Sequence, residues 1–179
     1  MERYVAFLRG MNLGNRRIKN DELRAEFEAL GFADVASFRA SGNVIFGSDK
    51  GQGESALVSE IETGLGEGLG YEVPVFLRSC AEVAATAAQR PFAAKLVEAS
   101  KGKLQVLLLG KKPAAAARKK VLALASDEDL LAIDRRELFW LPSGGTIDSE
   151  LDLKAIDAAL GRGTMRTMGT IEQIAAKHC

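Results

Sequence analysis

The sequence predicts an α+β chain, because short β-branched and aromatic runs alternate with amphipathic helical patterns in the order β-α-β-β-α-β, and that order recurs in the second half. An alanine-rich stretch, 78–102, separates the two series and reads as a helical connector. The order is that of the split βαβ, or ferredoxin-like, unit. Two tandem ferredoxin-like subdomains with antiparallel sheets are therefore expected, spanning 1–77 and 103–179, the second carrying a C-terminal helix. At 179 residues, 47% of them hydrophobic, the chain has enough apolar material for a core in each.

Arg3–Leu8 reads as the first strand, and Gly10 and Gly14 punctuate the loop after it. A helix capped at Asn20 follows, with Leu23, Phe27 and Leu30 at helical spacing and Gly31 as its stop. Ala33–Arg39 and Asn43–Phe46 read as a hairpin turned at Ala40-Ser41-Gly42-Asn43, where Gly and Asn tolerate positive φ. Leu57, Val58, Ile61 and Leu65 mark a second helix, expected to fray in the glycines between Gly64 and Gly70, which open no helix and lack the G-x-G-x-x-G spacing. Val73–Leu77 is the fourth strand, and Pro74 places it at an edge or at a strand start.

Ser79-Cys80-Ala81-Glu82 is a capping-box pattern opening the connector, which Pro91 interrupts. The second series reads as strand Lys103–Leu109, helix Pro113–Leu124, strands Asp129–Ile133 and Glu137–Leu141, a helix capped within Ser149–Asp152 and running to Leu160, and strand Thr164–Met168. A second capping box, Thr170-Ile171-Glu172-Gln173, opens the terminal helix.

Charge restricts function. Twenty-four basic residues balance 24 acidic ones, so no net field draws the whole surface to nucleic acid or an anionic membrane, and any electrostatic function is local. No apolar run approaches the roughly 20 residues that span a bilayer, and the start of the sequence has no secretory pattern. Cys80 and Cys179 stand far apart and match neither a disulfide framework nor a zinc spacing, so a reducing cytoplasm is expected. Consecutive Asp127, Glu128 and Asp129 diverge if extended and read as a turn, so no metal site is expected. The single histidine, His178, gives Ser41 no base, so no nucleophile is assigned; nor does any pattern call for a cofactor.

The most informative stretch is Val5–Lys19. Arg9, Arg16, Arg17 and Lys19 fall within eleven residues without an acid, beside Asn12 and Asn15, while Gly10 and Gly14 let backbone N–H groups approach a ligand. A strand-to-helix loop of this kind receives a phosphate or carboxylate; it is not a Walker A loop. The plainer alternative is a solvated loop in which Arg9 pairs with a carboxylate. Ser41-Gly42-Asn43 is a second polar cluster, with turn formation as its plainer role. Arg166, flanked by Thr164, Thr167 and Thr170 before a helix start, is another anion position. Lys111, Lys112, Arg118, Lys119 and Lys120 read as a solvated face, and the central strand Lys103–Leu109 lacks the aromatics on which RNA bases would stack. Phe139–Pro142 reads as packing beneath the Ser143–Thr146 glycine loop.

Leu8-Arg9-Gly10-Met11-Asn12-Leu13-Gly14, Ser41–Phe46, Val73-Pro74-Val75 and Thr164–Thr170 together resemble a bacterial family known as domain of unknown function 1697. The resemblance implies two ferredoxin-like subdomains and no established activity. Its signature positions fall on Arg9, Gly10, Asn12, Gly14, Lys19, Ser41, Gly42, Asn43, Ser149, Arg166 and Thr170; Asn15 and Thr167 depart from it. The resulting expectation is a cytoplasmic protein that binds a small phosphate- or carboxylate-bearing ligand in a cleft between subdomains, through Arg9, Gly10, Asn12, Gly14, Lys19, Ser41, Asn43 and Arg166. The alternatives are a nucleic-acid or protein interaction module using Arg16, Arg17 and the Lys111–Lys120 face, and a structural role for Arg9 and Arg166.

Overall fold

A computed structural model describes residues 1–11, 18–39 and 42–179. The chain divides into two compact units, one formed by 1–84 with 174–179, the other by 85–173.

In the first unit, β1 (Glu2–Leu8), α1 (Asn20–Ala29), β2 (Ala33–Ser37), β3 (Asn43–Ser48), α2 (Glu54–Leu69) and β4 (Val75–Ser79) follow one another, and α3 (Cys80–Ala87) begins directly after β4. The sheet order is β2-β3-β1-β4 with every neighbour antiparallel. Pro74 therefore precedes an edge strand, where its missing N–H breaks no ladder. Ala6, Leu8, Val44, Phe46, Val75 and Leu77 share one sheet face and pack with Leu23 and Phe27 of α1 and Leu57, Ile61 and Leu65 of α2. Tyr4 continues this face by stacking on Phe46, centroids 5.8 Å apart, and Phe32 meets the same ring at 4.5 Å. Burying the Phe32 and Phe46 rings contributes about 1.5–3 kcal/mol each. Val5, Phe7 and Ile45, on the opposite face, are equally buried, so the central strands read as continuous apolar runs without polar alternation.

The glycine-rich end of α2 departs from expectation. The helix continues through Gly64, Gly66 and Gly68 to Leu69 and stops at Gly70, which is left-handed at φ 75°. Tertiary packing explains the persistence of so glycine-rich a helix: a Cβ on Gly64 would lie 2.5 Å from Leu30 Cδ2, and one on Gly68 would lie 2.1 Å from Glu26 Oε2. The glycines let α1 and α2 approach closely. Two smaller corrections concern caps and turns. Lys19, not Asn20, precedes the first turn of α1, its N–H donating to Glu22 Oε2 at 3.1 Å. In the hairpin, Arg39 and Gly42 take positive φ, at 58° and 69°, while Asn43 is already in β3.

The second unit contains α4 (Ala94–Ala99), β5 (Gln105–Leu109), α5 (Ala115–Leu122), β6 (Asp129–Asp134), β7 (Glu137–Pro142), α6 (Leu153–Leu160), β8 (Gly163–Thr167) and the first part of α7 (Met168–His178). Its sheet order, β6-β7-β5-β8, again has only antiparallel neighbours. Leu109, Ile133 and Leu138 pack with Val121 of α5 and Ile156 and Leu160 of α6. Capping follows the sequence at Ser79, whose N–H donates to Glu82 Oε2 at 2.9 Å while its Oγ accepts from Glu82 N at 3.3 Å. Asp152 caps α6 by accepting from Ala155 N at 2.9 Å. At α7 the cap moves: the helix begins at Met168, and Thr167 Oγ1 accepts from Thr170 N, so Thr170 lies inside the first turn.

Cys80 and Cys179 are joined as a disulfide with Cα atoms 5.0 Å apart, against the expectation of separate thiols. Residues 174–179 belong to the first unit, as does Cys80, so a sequence separation of 99 closes to bonding distance. That return is a tertiary event that spacing does not reveal.

Gly66→Ala, whose new Cβ would meet nothing nearer than Tyr71 O at 4.0 Å, should raise the urea-unfolding free energy by about 0.5–1 kcal/mol, the usual gain for a helical glycine. Gly64→Ala should instead lower it by about 1 kcal/mol, because the new methyl group collides with Leu30.

Candidate functional site

At one end of the first sheet, three sequence motifs meet. Leu8 N donates to Gly42 O at 2.8 Å, and Arg9 N donates to Pro74 O at 3.0 Å. Gly42 permits the close approach: a Cβ there would lie 2.7 Å from Met11 Cγ and 3.1 Å from Leu8 Cβ. Gly10 turns the chain at φ 77°, and Arg9 and Gly10 are half-buried. Asn43 is fully buried, its amide donating to Phe38 O at 2.9 Å and so fastening the β2–β3 turn. Lys19 is exposed at the start of α1. Asn12, Gly14 and Ser41, with Asn15, Arg16 and Arg17, lie outside the described residues.

In the second unit, Arg166 sits in β8 opposite Val106. One guanidinium nitrogen donates to Thr164 Oγ1 at 2.9 Å and to Met165 O at 2.8 Å. Burial lowers its pKa to about 10, because the charged form loses hydration. The Thr167 and Thr170 hydroxyls lie 3.0 Å apart. The N–H groups of Met168 and Thr170 are already engaged, by Leu104 O and Thr167 Oγ1, so polarity here comes from guanidinium and hydroxyls more than from the helix start.

A residue that sequence reasoning missed repeats this pattern. Arg78, 1% exposed, lies opposite Val5 in β4 as Arg166 lies opposite Val106 in β8. It too donates to the preceding carbonyl, Leu77 O, at 2.8 Å. Each arginine is followed by a hydroxyl residue, Ser79 or Thr167, that accepts an N–H of the next helix at 3.3 Å. The signal was present as Arg-Ser-x-x-Glu and Arg-Thr-x-x-Thr at the end of the fourth strand of each series.

A separate cleft of about 560 Å³ is lined by Ser126, Glu128, Asp129, Asp148, Ser149 and Glu150, among others. Its carboxylates disfavour an anion. Asp129, read both as the end of an acidic turn and as the start of a strand, opens β6 and is a buried bonding centre: its Oδ1 accepts from Trp140 Nε1 at 2.7 Å and from Ser149 Oγ at 2.8 Å. Trp140 is 2% exposed, in line with its expected packing role. Among the described residues no group of three or more His, Cys, Asp and Glu side chains is placed to hold a metal ion, and no helix is long and apolar enough to cross a membrane.

The model of the family described as Protein of unknown function (DUF1697) matches residues 1–139. The chain belongs to the DUF1697 family. The match covers Arg9 and the β2–β3 turn and ends before Ser149, Arg166 and Thr170. The fold of this DUF1697 protein is similar to that in "The structure of conserved bacterial protein SP0830 from Streptococcus pneumoniae", with 22% identity, a TM-score of 0.73, and coverage of 98% of this chain and 97% of the other. No curated protein matches the chain.

Asp129→Ala leaves the buried Trp140 N–H unsatisfied and should cost about 1–3 kcal/mol, whereas Asp129→Asn keeps an acceptor and should cost less; fluorescence of Trp140, the single tryptophan, follows the unfolding. His178 packs edge-on against Phe38, centroids 5.9 Å apart, and burial, then Arg3 and Lys177, lower its pKa. The folded state thus holds this imidazole neutral to lower pH than the unfolded chain does, so the stability present above the ordinary value of 6.5 is lost as pH falls through the lowered one. Urea midpoints should drop more for the wild type than for His178→Phe between pH 7.5 and pH ~5, the range spanning ordinary histidine titration.

Proposed function

We propose that this DUF1697 protein is a cytoplasmic binding protein, built of two ferredoxin-like subdomains, that holds a small phosphate- or carboxylate-bearing ligand. Arg166 carries the reading. Its guanidinium keeps a full charge in surroundings that desolvate it enough to lower the pKa to about 10, with the Thr164 hydroxyl bonded to it. A guanidinium meets phosphate or carboxylate through paired N–H donors, and an anion here would add to the partners Arg166 already has in Thr164 Oγ1 and Met165 O. Thr167 and Thr170 add hydroxyl groups beside it in sequence.

In the first unit, considered by itself, Arg9 is a separate candidate cation on a loop whose backbone is fixed by Gly42 and Pro74. Gly10 gives that loop its turn, and Lys19 adds charge at the start of α1. Asn43 contributes by holding the neighbouring turn. In a cytoplasmic protein, the Cys80–Cys179 bond would be a reversible thiol pair and not a permanent staple.

Inorganic phosphate and simple dicarboxylates, titrated against the full chain in a thermal-shift assay, should raise Tm by several degrees at saturation. Arg166→Met should abolish the response and Arg166→Lys should retain part of it. If Arg166→Met and Arg9→Ala both respond as the wild type does, the anion reading is wrong.

A further inference from the structure

We propose that Cys80 and Cys179 constitute a thiol–disulfide exchange site for a low-molecular-weight disulfide such as oxidised glutathione, with Cys80 as the entry thiol and Cys179 as the resolving one. The pair is placed by the fold, since the residues are 99 apart in sequence and 5.0 Å apart between Cα atoms, inside the range a disulfide spans without backbone movement. Both belong to the first unit, although residues 85–173 between them form the second. The bond therefore fastens the end of α7 to the β4–α3 junction and closes the first unit across the inserted one.

Access and electrostatics suit exchange. Cys179 is exposed and Cys80 half-buried, so a small thiol reaches the bond from solvent. Cys80 is the first residue of the eight-residue α3, whose dipole stabilises a thiolate. Lys177 lies two residues before Cys179, and Lys177 and Arg3 both act on the intervening His178. Glu82, the acid in the first turn of α3, is engaged by the N–H and hydroxyl of Ser79. Cys80 Sγ lies 3.6 Å from the His178 carbonyl oxygen, so the tail runs beside it. Lys177 and His178 rest on the Phe38 ring, so closure also anchors the segment lying on the β2–β3 turn.

The chemistry balances without a further reactant. The Cys80 thiolate attacks one sulfur of the oxidised disulfide, forming a mixed disulfide and expelling one thiolate, which takes up a proton. The Cys179 thiolate then attacks Cys80 Sγ, closing the internal bond and expelling the second thiolate. Two protein thiols are oxidised while one small disulfide is reduced to two thiols, and excess reduced thiol reverses both steps.

Full-length protein equilibrated in glutathione buffers, then alkylated and weighed intact, tests this. As oxidised glutathione increases, the wild type should lose two hydrogen atoms with no retained adduct, and reduced glutathione should restore both thiols in the native protein. Cys179→Ser should retain one glutathione on Cys80, formed roughly tenfold faster than the adduct of Cys80→Ser at Cys179. Reduction should lower the wild-type Tm by about 10 °C, from loss of a loop closure near 100 residues. The proposal fails if both thiols stay alkylatable at every ratio, if the bond opens only in denaturant, or if the two single variants react at equal rates.

Discussion

The central strand of each sheet is the constraint on which the other features depend. β1 is held by β3 on one side and β4 on the other, and β5 by β7 and β8, with apolar side chains buried on both faces. Such a strand has almost no freedom of register, because a slip of one residue would move every buried side chain into a space shaped for a neighbour of different size. Fixed register then carries the chain beyond the strand into a defined place. Leu8 meets Gly42, Arg9 meets Pro74, and three segments distant in sequence share one end of the first sheet.

The same register gives the two arginines, Arg78 buried and Arg166 half-buried, their common environment. Val5 opposes Arg78 and Val106 opposes Arg166, each arginine in an edge strand, each donating to its preceding carbonyl, and each followed by a hydroxyl cap. A long cation is an expensive residue to bury. An arginine at matching register positions of the two β-α-β-β-α-β series makes the structural repeat visible where residue identity does not. An arginine that serves its preceding strand carbonyl belongs to the strand's own geometry, and an anion at Arg166 would add to that geometry.

Much of the architecture was legible in the sequence. Element order, the hairpin, the edge position of Pro74 and the Ser79–Glu82 capping box all follow from short-range chemistry: apolar period, missing N–H groups and side-chain oxygens within reach of their own helix ends. What stayed hidden depended on a partner distant in sequence. The glycines of α2 looked like fraying because propensity penalises them, yet they sustain a helix pressed against Leu30 and Glu26. Asp129 looked like part of an acidic turn until Trp140 and Ser149 converged on it. At the candidate site, Arg9 and Arg166 could be named from their polar surroundings in sequence, whereas Arg78, though its Arg-Ser-x-x-Glu pattern was there to read, took its meaning from strand register.

The sequence by itself determined two β-α-β-β-α-β series, their apolar strands, and the concentration of polar signature residues in the segments after them, because periodicity and local hydrogen bonding act over a few residues. Only the tertiary structure decided which of those residues meet. Pairing places Arg78 beside Val5, packing fills the space beside Gly64 and Gly42, and the return of residues 174–179 to the first unit brings Cys179 to Cys80. Each of these results from long-range closure, whose energetic return comes from burial and not from any pattern in the intervening chain.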